Sequence, residues 1–283
     1  EAGAHLSAKR SYVITHHPPF RADGSLEYDP VSTVRKIRKN VGLAPWFAPV
    51  SGTIRAHLES FAPLIRLSGE DWPNVFDASA WPDGPPIFQS ETLTIGRHGR
   101  ADTLKWPDHA KDVSASLPAD ARTRVRVLGC PTEALQEMGV DTSAWDVLPF
   151  GAETPQDFLQ SLDVFVYHYH SAWVEAFGRT VAEAALVGRA CILDPRLRTT
   201  CGSIGSYCRP SDVADLLNRM RENPQETQKN ATVGRDAARE RYGIESVNNR
   251  FERMKTDTGS VSRSDALVRP TQAIRKVIGL HRR

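Results

Sequence analysis

The chain has 283 residues, of which 40% are hydrophobic and 25% charged, a balance typical of globular proteins that leaves room for two domains. The formal net charge of +2 is too small, and the basic residues too dispersed, to indicate a nucleic acid partner. No apolar run approaches the roughly twenty residues that a membrane span needs, and no signal peptide follows Glu1. The four cysteines have no CxxC spacing, so we expect reduced thiols in a cytoplasmic protein.

The N-terminal part alternates predicted strands with helices. A β-branched and aromatic run from Ser11 to Thr15 predicts a strand that delivers His16 and His17 to a loop, where two prolines stop it. Further strands are predicted at 46–50 and 63–67, with a helix at 51–58 between them. This alternation favours a parallel sheet with helices on both faces. A merely exposed loop position remains the alternative for either histidine.

A cationic loop follows the next predicted strand, at 93–96. Arg97 comes directly after this strand, and Lys105 lies eight residues later. Arginine offers a bidentate fork and lysine a point charge, so together they suit a diphosphate group. The alternative is a basic surface loop.

Strands are also predicted at 124–128 and 147–151, the second containing Phe150. His168 and His170 lie two positions apart on a later strand, a spacing that formally allows a metal. Because no third ligand is evident, we predict no metal site.

The most informative stretch lies between a predicted buried strand at 164–167 and a predicted helix at 179–186, which meet at Phe177 and Gly178. A helix start presents unpaired backbone N–H groups and favours an anion, and glycine lets a ligand approach closely. Glu175 and Glu183 frame this joint. Because carboxylates repel phosphate, they are better suited to sugar hydroxyls; ordinary glutamates on a solvated helix are the alternative.

The residues around this joint resemble the signature of a known protein family. The pattern E-x-F-G-x-x-x-x-E from Glu175 to Glu183, followed by A-x-x-x-G, resembles the signature of glycosyltransferase family 4, nucleotide-sugar enzymes of the GT-B fold. The resemblance implies that Glu175 contacts the donor sugar and that Glu183 binds the ribose. It assigns the diphosphate to the loop N–H groups of Phe177, Gly178, Arg179 and Thr180.

Other stretches resemble the same family less closely. IGRHGR…LKWP is similar to its "G-R…K-G" motif, which implies that Arg97 and Lys105 bind the diphosphate, although Trp106 stands where glycine is usual. VITHHPPF is similar to a strand that ends in a histidine facing the cleft, and we prefer His17 over His16 for this place. The family's base contacts imply Phe150 as a neighbour of the nucleobase, with a core position as the alternative.

The resemblance, strongest over 93–254, implies an α/β fold of the GT-B type with two Rossmann-like domains facing a cleft. We expect a partial N-terminal, acceptor-side domain at 1–80, which is truncated or unusually small, and a nucleotide-sugar-binding domain at 81–254. A basic tail at 255–283 is expected to be flexible, with contact to phosphate or lipid headgroups as the alternative.

The implied function is transfer of a sugar, of hexose type, from a nucleotide-diphosphate sugar to an acceptor that is a sugar, a lipid or a protein. By resemblance the reaction retains the anomeric configuration and needs no metal and no cofactor beyond the donor. Such an activity would serve carbohydrate or cell-envelope biosynthesis, in the cytoplasm or at the membrane periphery. The alternatives are a non-catalytic relative that binds a nucleotide or sugar, and a nucleotide-sugar epimerase of the same fold. Base, sugar, acceptor and oligomeric state stay open.

Overall fold

A computed structural model of the protein describes residues 8–62, 64–259 and 266–281. The chain forms two compact units. The first contains the described parts of 1–74 and 245–283 together with Val174–Phe177, and the second contains Val75–Trp173 and Gly178–Ile244. The chain therefore leaves the second unit after Trp173 and returns to it at Gly178.

Strands and helices are numbered in chain order. The strands are β1 Tyr12–Thr15, β2 Trp46–Pro49, β3 Arg66–Leu67, β4 Leu93–His98, β5 Thr123–Leu128, β6 Trp145–Leu148, β7 Val164–Tyr167, β8 Ala190–Leu193 and β9 Ser206–Tyr207. The helices are α1 Pro30–Val41, α2 Gly52–Glu59, α3 Ala110–Ser116, α4 Thr132–Glu137, α5 Pro155–Gln160, α6 Arg179–Leu186, α7 Arg198–Cys201, α8 Val213–Glu222, α9 Pro224–Tyr242, α10 Ser246–Thr256 and α11 Pro270–His281. None of the described helices is long and apolar enough to cross a bilayer.

The first unit contains a three-stranded parallel sheet in the order β1-β2-β3. Its helices begin where the sequence supplies capping side chains: the Asp29 carboxylate accepts from the Val31 N–H before α1, and the Ser51 hydroxyl accepts from the Ile54 N–H before α2. The predicted third strand is shorter than expected, because only Arg66–Leu67 pairs with β2. Pro63, where it was expected to begin, lies outside the described residues.

The second unit contains a six-stranded parallel sheet in the order β6-β5-β4-β7-β8-β9. All four residues of β7 and all four of β8 are buried, as expected for central strands covered on both faces. From β4 the chain proceeds outward through β5 to β6, and then returns to the other side of β4 with β7. This reversal places a topological switch point between β4 and β7, and open parallel sheets bind ligands beyond the carboxyl ends of the strands at such a point.

The C-terminal part differs from the sequence prediction. Helix α10 packs in the first unit rather than in the predicted 81–254 domain, because Arg250 donates to the Pro73 carbonyl at 2.7 Å and lies over the Trp72 ring. The expected flexible tail at 255–283 is corrected for 266–281, where α11 buries Ala273 and Val277. These two residues lie one turn apart on the same face of the helix, which gives it a packed side. Residues 260–265 and 282–283 lie outside the described residues.

Candidate functional site

The start of α6 forms the first element of the candidate site. The helix begins directly after Gly178, as predicted, and Gly178 adopts a left-handed conformation (φ 76°, ψ 58°) that favours glycine. The N-cap residue Gly178 makes no side-chain cap hydrogen bond to the helix. A helix start of this kind attracts anions through its N–H groups and its dipole.

Glu183 supplies a carboxylate in the second turn of α6. Its residue is only 5% exposed, and its Oε1 atom accepts a hydrogen bond of 2.8 Å from Nε of Arg179, one turn earlier. Burial raises the pKa of Glu183, while the Arg179 guanidinium opposes this shift. The guanidinium itself is 64% exposed and lies 4.9 Å from the Phe76 ring centroid. The site thus holds a desolvated carboxylate beneath an accessible cation.

His98, the last residue of β4, is the second buried group, and the sequence analysis did not single it out. Its Nε2 atom lies 3.3 Å from Oε2 of Glu183, but the angle is not that of a hydrogen bond, and Nε2 has no such partner among the described residues. Burial, and to a lesser extent Arg97, lower the pKa of His98 to about 4, so the imidazole is neutral near pH 7. Strand alternation was the available signal, since it points His98 to the face opposite Arg97.

Arg97, predicted to bind the diphosphate, is buried near the end of β4. Its residue is 3% exposed, and its two terminal nitrogens donate to the carbonyls of His168 and Lys105. The guanidinium lies 4.2 Å from the Trp106 ring centroid and 4.9 Å from that of Tyr167. This arrangement gives Arg97 a structural role, because it fastens the loop after β4 to the residue that follows β7. Direct contact with a diphosphate stays a prediction.

Trp106 stands where the resembled motif usually has glycine, and its side chain has a packing role. Its side chain is buried, covers Arg97, and stacks on Trp145 with ring centroids 6.0 Å apart and planes 14° apart. Lys105, at the end of the 3-10 turn Thr103–Lys105, places its ammonium 4.4 Å from the Trp173 ring centroid. The cation is therefore half-buried on an aromatic face near the carboxyl end of β4.

Phe150 lies in the turn after β6 and is 67% exposed. The alternative that it fills the core is therefore wrong. A Cβ atom added at Gly129, just after β5, would lie 3.2 Å from Cδ2 of Phe150. The ring thus lies beside the end of β5, at the same edge of the sheet as His98, and its contact with a base stays a prediction.

Three predicted residues, His17, Glu175 and Phe177, belong to the first unit. His17 is exposed, as is His16, and the His17 carbonyl accepts a hydrogen bond of 3.3 Å from the Tyr28 hydroxyl. Glu175 is 8% exposed and lies in the segment Val174–Phe177, where the Ser51 hydroxyl donates to the Ala176 carbonyl. Ser51, the N-cap residue of α2, therefore anchors this segment.

The two histidines considered for a metal have other partners. The ring nitrogens of His168 lie 3.2 Å from the Ser116 hydroxyl and 2.9 Å from the Cys208 carbonyl. His170 Nδ1 lies 3.5 Å from the Asp108 carboxylate. In the described parts of the chain, no three or more His, Cys, Asp or Glu side chains are grouped to hold a metal ion.

Several solved structures resemble this one. HepE from Anabaena in complex with UDP gives a TM-score of 0.63 at 16% identity, covering 87% of this chain and 72% of that one. A glycosyltransferase from Rickettsia africae gives 0.59 at 14% identity, covering 81% and 68%. A UDP-forming trehalose-phosphate synthase from Burkholderia xenovorans gives 0.57 at 12% identity, covering 86% and 68%. No protein-family model and no curated protein sequence matches the chain. The chain has the parallel-sheet α/β fold with Rossmann-like sheets that is found in GT-B glycosyltransferases.

Proposed function

We propose that this protein is a glycosyltransferase that uses a nucleotide-diphosphate sugar as donor. One observation carries the proposal: at the switch point between β4 and β7, a helix start whose N-cap residue is Gly178 is combined with the buried carboxylate of Glu183. The first group suits a diphosphate, and the second suits the hydroxyls of a ribose. A nucleoside diphosphate presents both on one molecule.

The residues of α6 have distinct roles in this proposal. The N–H groups of Arg179 and Thr180 hold the diphosphate, and the exposed edge of the Arg179 guanidinium adds positive charge where the leaving group develops negative charge. Glu183 accepts hydrogen bonds from the ribose. Because Arg179 binds Glu183 through Nε, one side chain connects the two subsites.

The similar structures support a uridine nucleotide as the first donor to test. HepE was solved with UDP, with UDP-glucose, and with UDP and glucose. The pneumococcal O-GlcNAc transferase GtfA was solved with UDP and GlcNAc. Their low sequence identity to this chain establishes a common fold, and a common donor is part of our proposal.

The resemblance to glycosyltransferase family 4 supplies the remaining assignments. Glu175 orients the donor sugar, His17 binds acceptor or sugar, Lys105 adds charge at the diphosphate, and Phe150 borders the base. Transfer of a hexose with retention and without a metal completes this proposal. Arg97 adds positive charge at the diphosphate, and two of its five N–H donors also hold the Lys105 and His168 carbonyls.

Thermal unfolding tests the donor site. A ligand that binds only the folded state stabilises it by about 2.7 kcal/mol at a hundred times its Kd, which corresponds to roughly 5–10 °C for units of this size. We expect this rise with one of UDP, GDP and ADP, and its loss in Glu183→Gln. The matched control is Glu137→Gln, an exposed glutamate of α4, which should keep the full rise. No rise with any nucleotide in the folded protein would contradict the proposal.

Turnover separates the alternatives. Sugar transfer that requires an added acceptor supports a glycosyltransferase. Binding without turnover over a panel of acceptors would favour the non-catalytic relative. A changed sugar nucleotide formed without any acceptor would favour the epimerase.

A further inference from the structure

We propose that His98 is a positioning residue that fixes the Glu183 carboxylate in the orientation needed to accept ribose hydroxyls. The inference rests on the proposed nucleotide site and adds a residue to it. It starts from the 3.3 Å approach of Nε2 of His98 to Oε2 of Glu183, between two side chains that are each 6% exposed.

The two carboxylate oxygens have different neighbours. Oε1 accepts from Nε of Arg179 at 2.8 Å, and Oε2 faces the His98 ring. A carboxylate held at one oxygen still turns about its last bond, whereas contacts at both oxygens fix its plane. Its remaining lone pairs then point in a fixed direction, which is what recognition of a sugar hydroxyl requires.

The imidazole is itself held in place. Its centroid lies 6.2 Å from that of Phe158 on α5 and 5.9 Å from that of Phe165 on β7. The Nε2 atom is buried and has no hydrogen-bond partner of good geometry among the described residues. Buried polar atoms are rarely left in this state. A small rotation of the ring or the carboxylate would turn the 3.3 Å contact into a hydrogen bond, and active-site hydrogen bonds often tighten when a ligand binds.

The protonation state suits this role. Because burial lowers the pKa of His98 to about 4, the ring carries one N–H and no charge near pH 7. An Nε2–H group of the neutral ring then donates to the Glu183 carboxylate, and Arg179 remains the cation that pairs with it. Burial raises the pKa of Glu183, and the Arg179 guanidinium opposes this shift by favouring the ionised carboxylate.

Nucleotide discrimination tests the proposal. We would measure the Kd of UDP and of 2′-deoxy- and 3′-deoxy-UDP with the wild type, His98→Phe, His98→Gln and the control His109→Phe, an exposed histidine before α3. If GDP or ADP is the nucleotide bound, its deoxy forms replace those of UDP. The wild type should prefer the ribonucleotide by about tenfold or more, as expected for a hydrogen bond to a charged group.

The variants give separate outcomes. His98→Phe should lose most of this preference, His98→Gln should recover much of it because the amide keeps an N–H donor, and His109→Phe should behave like the wild type. A reduced affinity for all three nucleotides with an unchanged preference would indicate a structural effect alone and would overturn the proposal.

A second measurement needs no nucleotide and no variant of the buried histidine. The ¹⁵N chemical shifts of the His98 ring in the ligand-free wild type should show the Nε2–H tautomer, and Glu183→Gln should change them. An Nδ1–H tautomer would direct a lone pair at the carboxylate and would overturn the proposal. If the wild type binds no nucleotide, the proposed function and the ribose role fail together, and the tautomer still decides whether His98 holds Glu183.

Discussion

The burial of Arg97 makes a quantitative prediction about stability. In Arg97→Met, the methionine keeps much of the apolar volume but loses the donors to the His168 and Lys105 carbonyls. Each such hydrogen bond to a charged group contributes about 1.5–3 kcal/mol, and the contacts with the Trp106 and Tyr167 rings contribute about 2 kcal/mol more when desolvated. Relief of the cost of burying a cation offsets part of this sum. We therefore expect a net loss of about 3 kcal/mol.

Urea unfolding at pH 7, with thermal unfolding as a second probe, would measure this loss. The matched control is Arg124→Met on the neighbouring strand β5, because the Arg124 side chain is 59% exposed and forms an ion pair with Asp146 at the surface. Exposed pairs contribute about 1 kcal/mol or less, so the control should change little. If Arg97→Met kept the wild-type stability but abolished nucleotide binding, the guanidinium would serve the ligand alone and our reasoning about stability would be refuted.

Three further predictions concern glycine geometry and buried ionisable groups. Gly129→Ala should destabilise the protein by more than about 3 kcal/mol and Gly139→Ala by about 1 kcal/mol: both have positive φ, but only at 129 would the new Cβ atom lie 2.0 Å from a carbonyl oxygen, that of Gly99. Equal shifts of the urea midpoint would contradict this. Glu183→Gln should raise stability at pH 7, because burial raises the pKa of Glu183 and its ionised form disfavours folding above that pKa; the gain should shrink as pH falls through the folded pKa, and a less stable variant at pH 7 would oppose this reasoning. His57 is 4% exposed and has a pKa lowered by burial to about 4. It should contribute about 3 kcal/mol to the fall in wild-type stability between pH 6.5 and 4, because the unfolded imidazole binds a proton that the folded one excludes. His57→Phe should lack this part of the acid destabilisation in urea titrations at several pH values, and an unchanged pH profile would contradict the assignment.

The sequence predicted the parts of the site that depend on local signals. Four apolar residues at 164–167 formed β7, and the glycine before the Ala- and Leu-containing run formed the start of α6. These predictions succeeded because a buried strand and a glycine-capped helix are each encoded within a few consecutive residues.

The interactions that the sequence did not predict connect segments that are far apart in the chain. The burial of Arg97 depends on Trp106 in a loop and Tyr167 in β7, and the loop sequence alone resembled an exposed cationic motif. The approach of His98 to Glu183 likewise requires the order of β4, β7 and α6 to be known. Tertiary pairing of this kind leaves no periodic pattern.

The sequence also did not predict which segments pack in the first unit. Helix α11 was obscured by the serine-, threonine- and arginine-rich composition around it, because only a narrow face at Ala273 and Val277 is strongly buried. The segment Val174–Phe177 joins the first unit through a hydrogen bond from Ser51, a residue more than a hundred positions away.

Backbone amide NMR would test the central claim most directly. In titrations of the ¹⁵N-labelled protein, UDP should shift the amide signals of Arg179 and Thr180 strongly, as expected for N–H groups that gain an anionic acceptor. Uridine, which lacks the diphosphate, should leave them nearly unchanged. GDP and ADP serve the same comparison if UDP is not bound. Shifts caused by the nucleotide that avoid α6, or equal shifts with the nucleoside, would contradict a diphosphate site at the start of this helix.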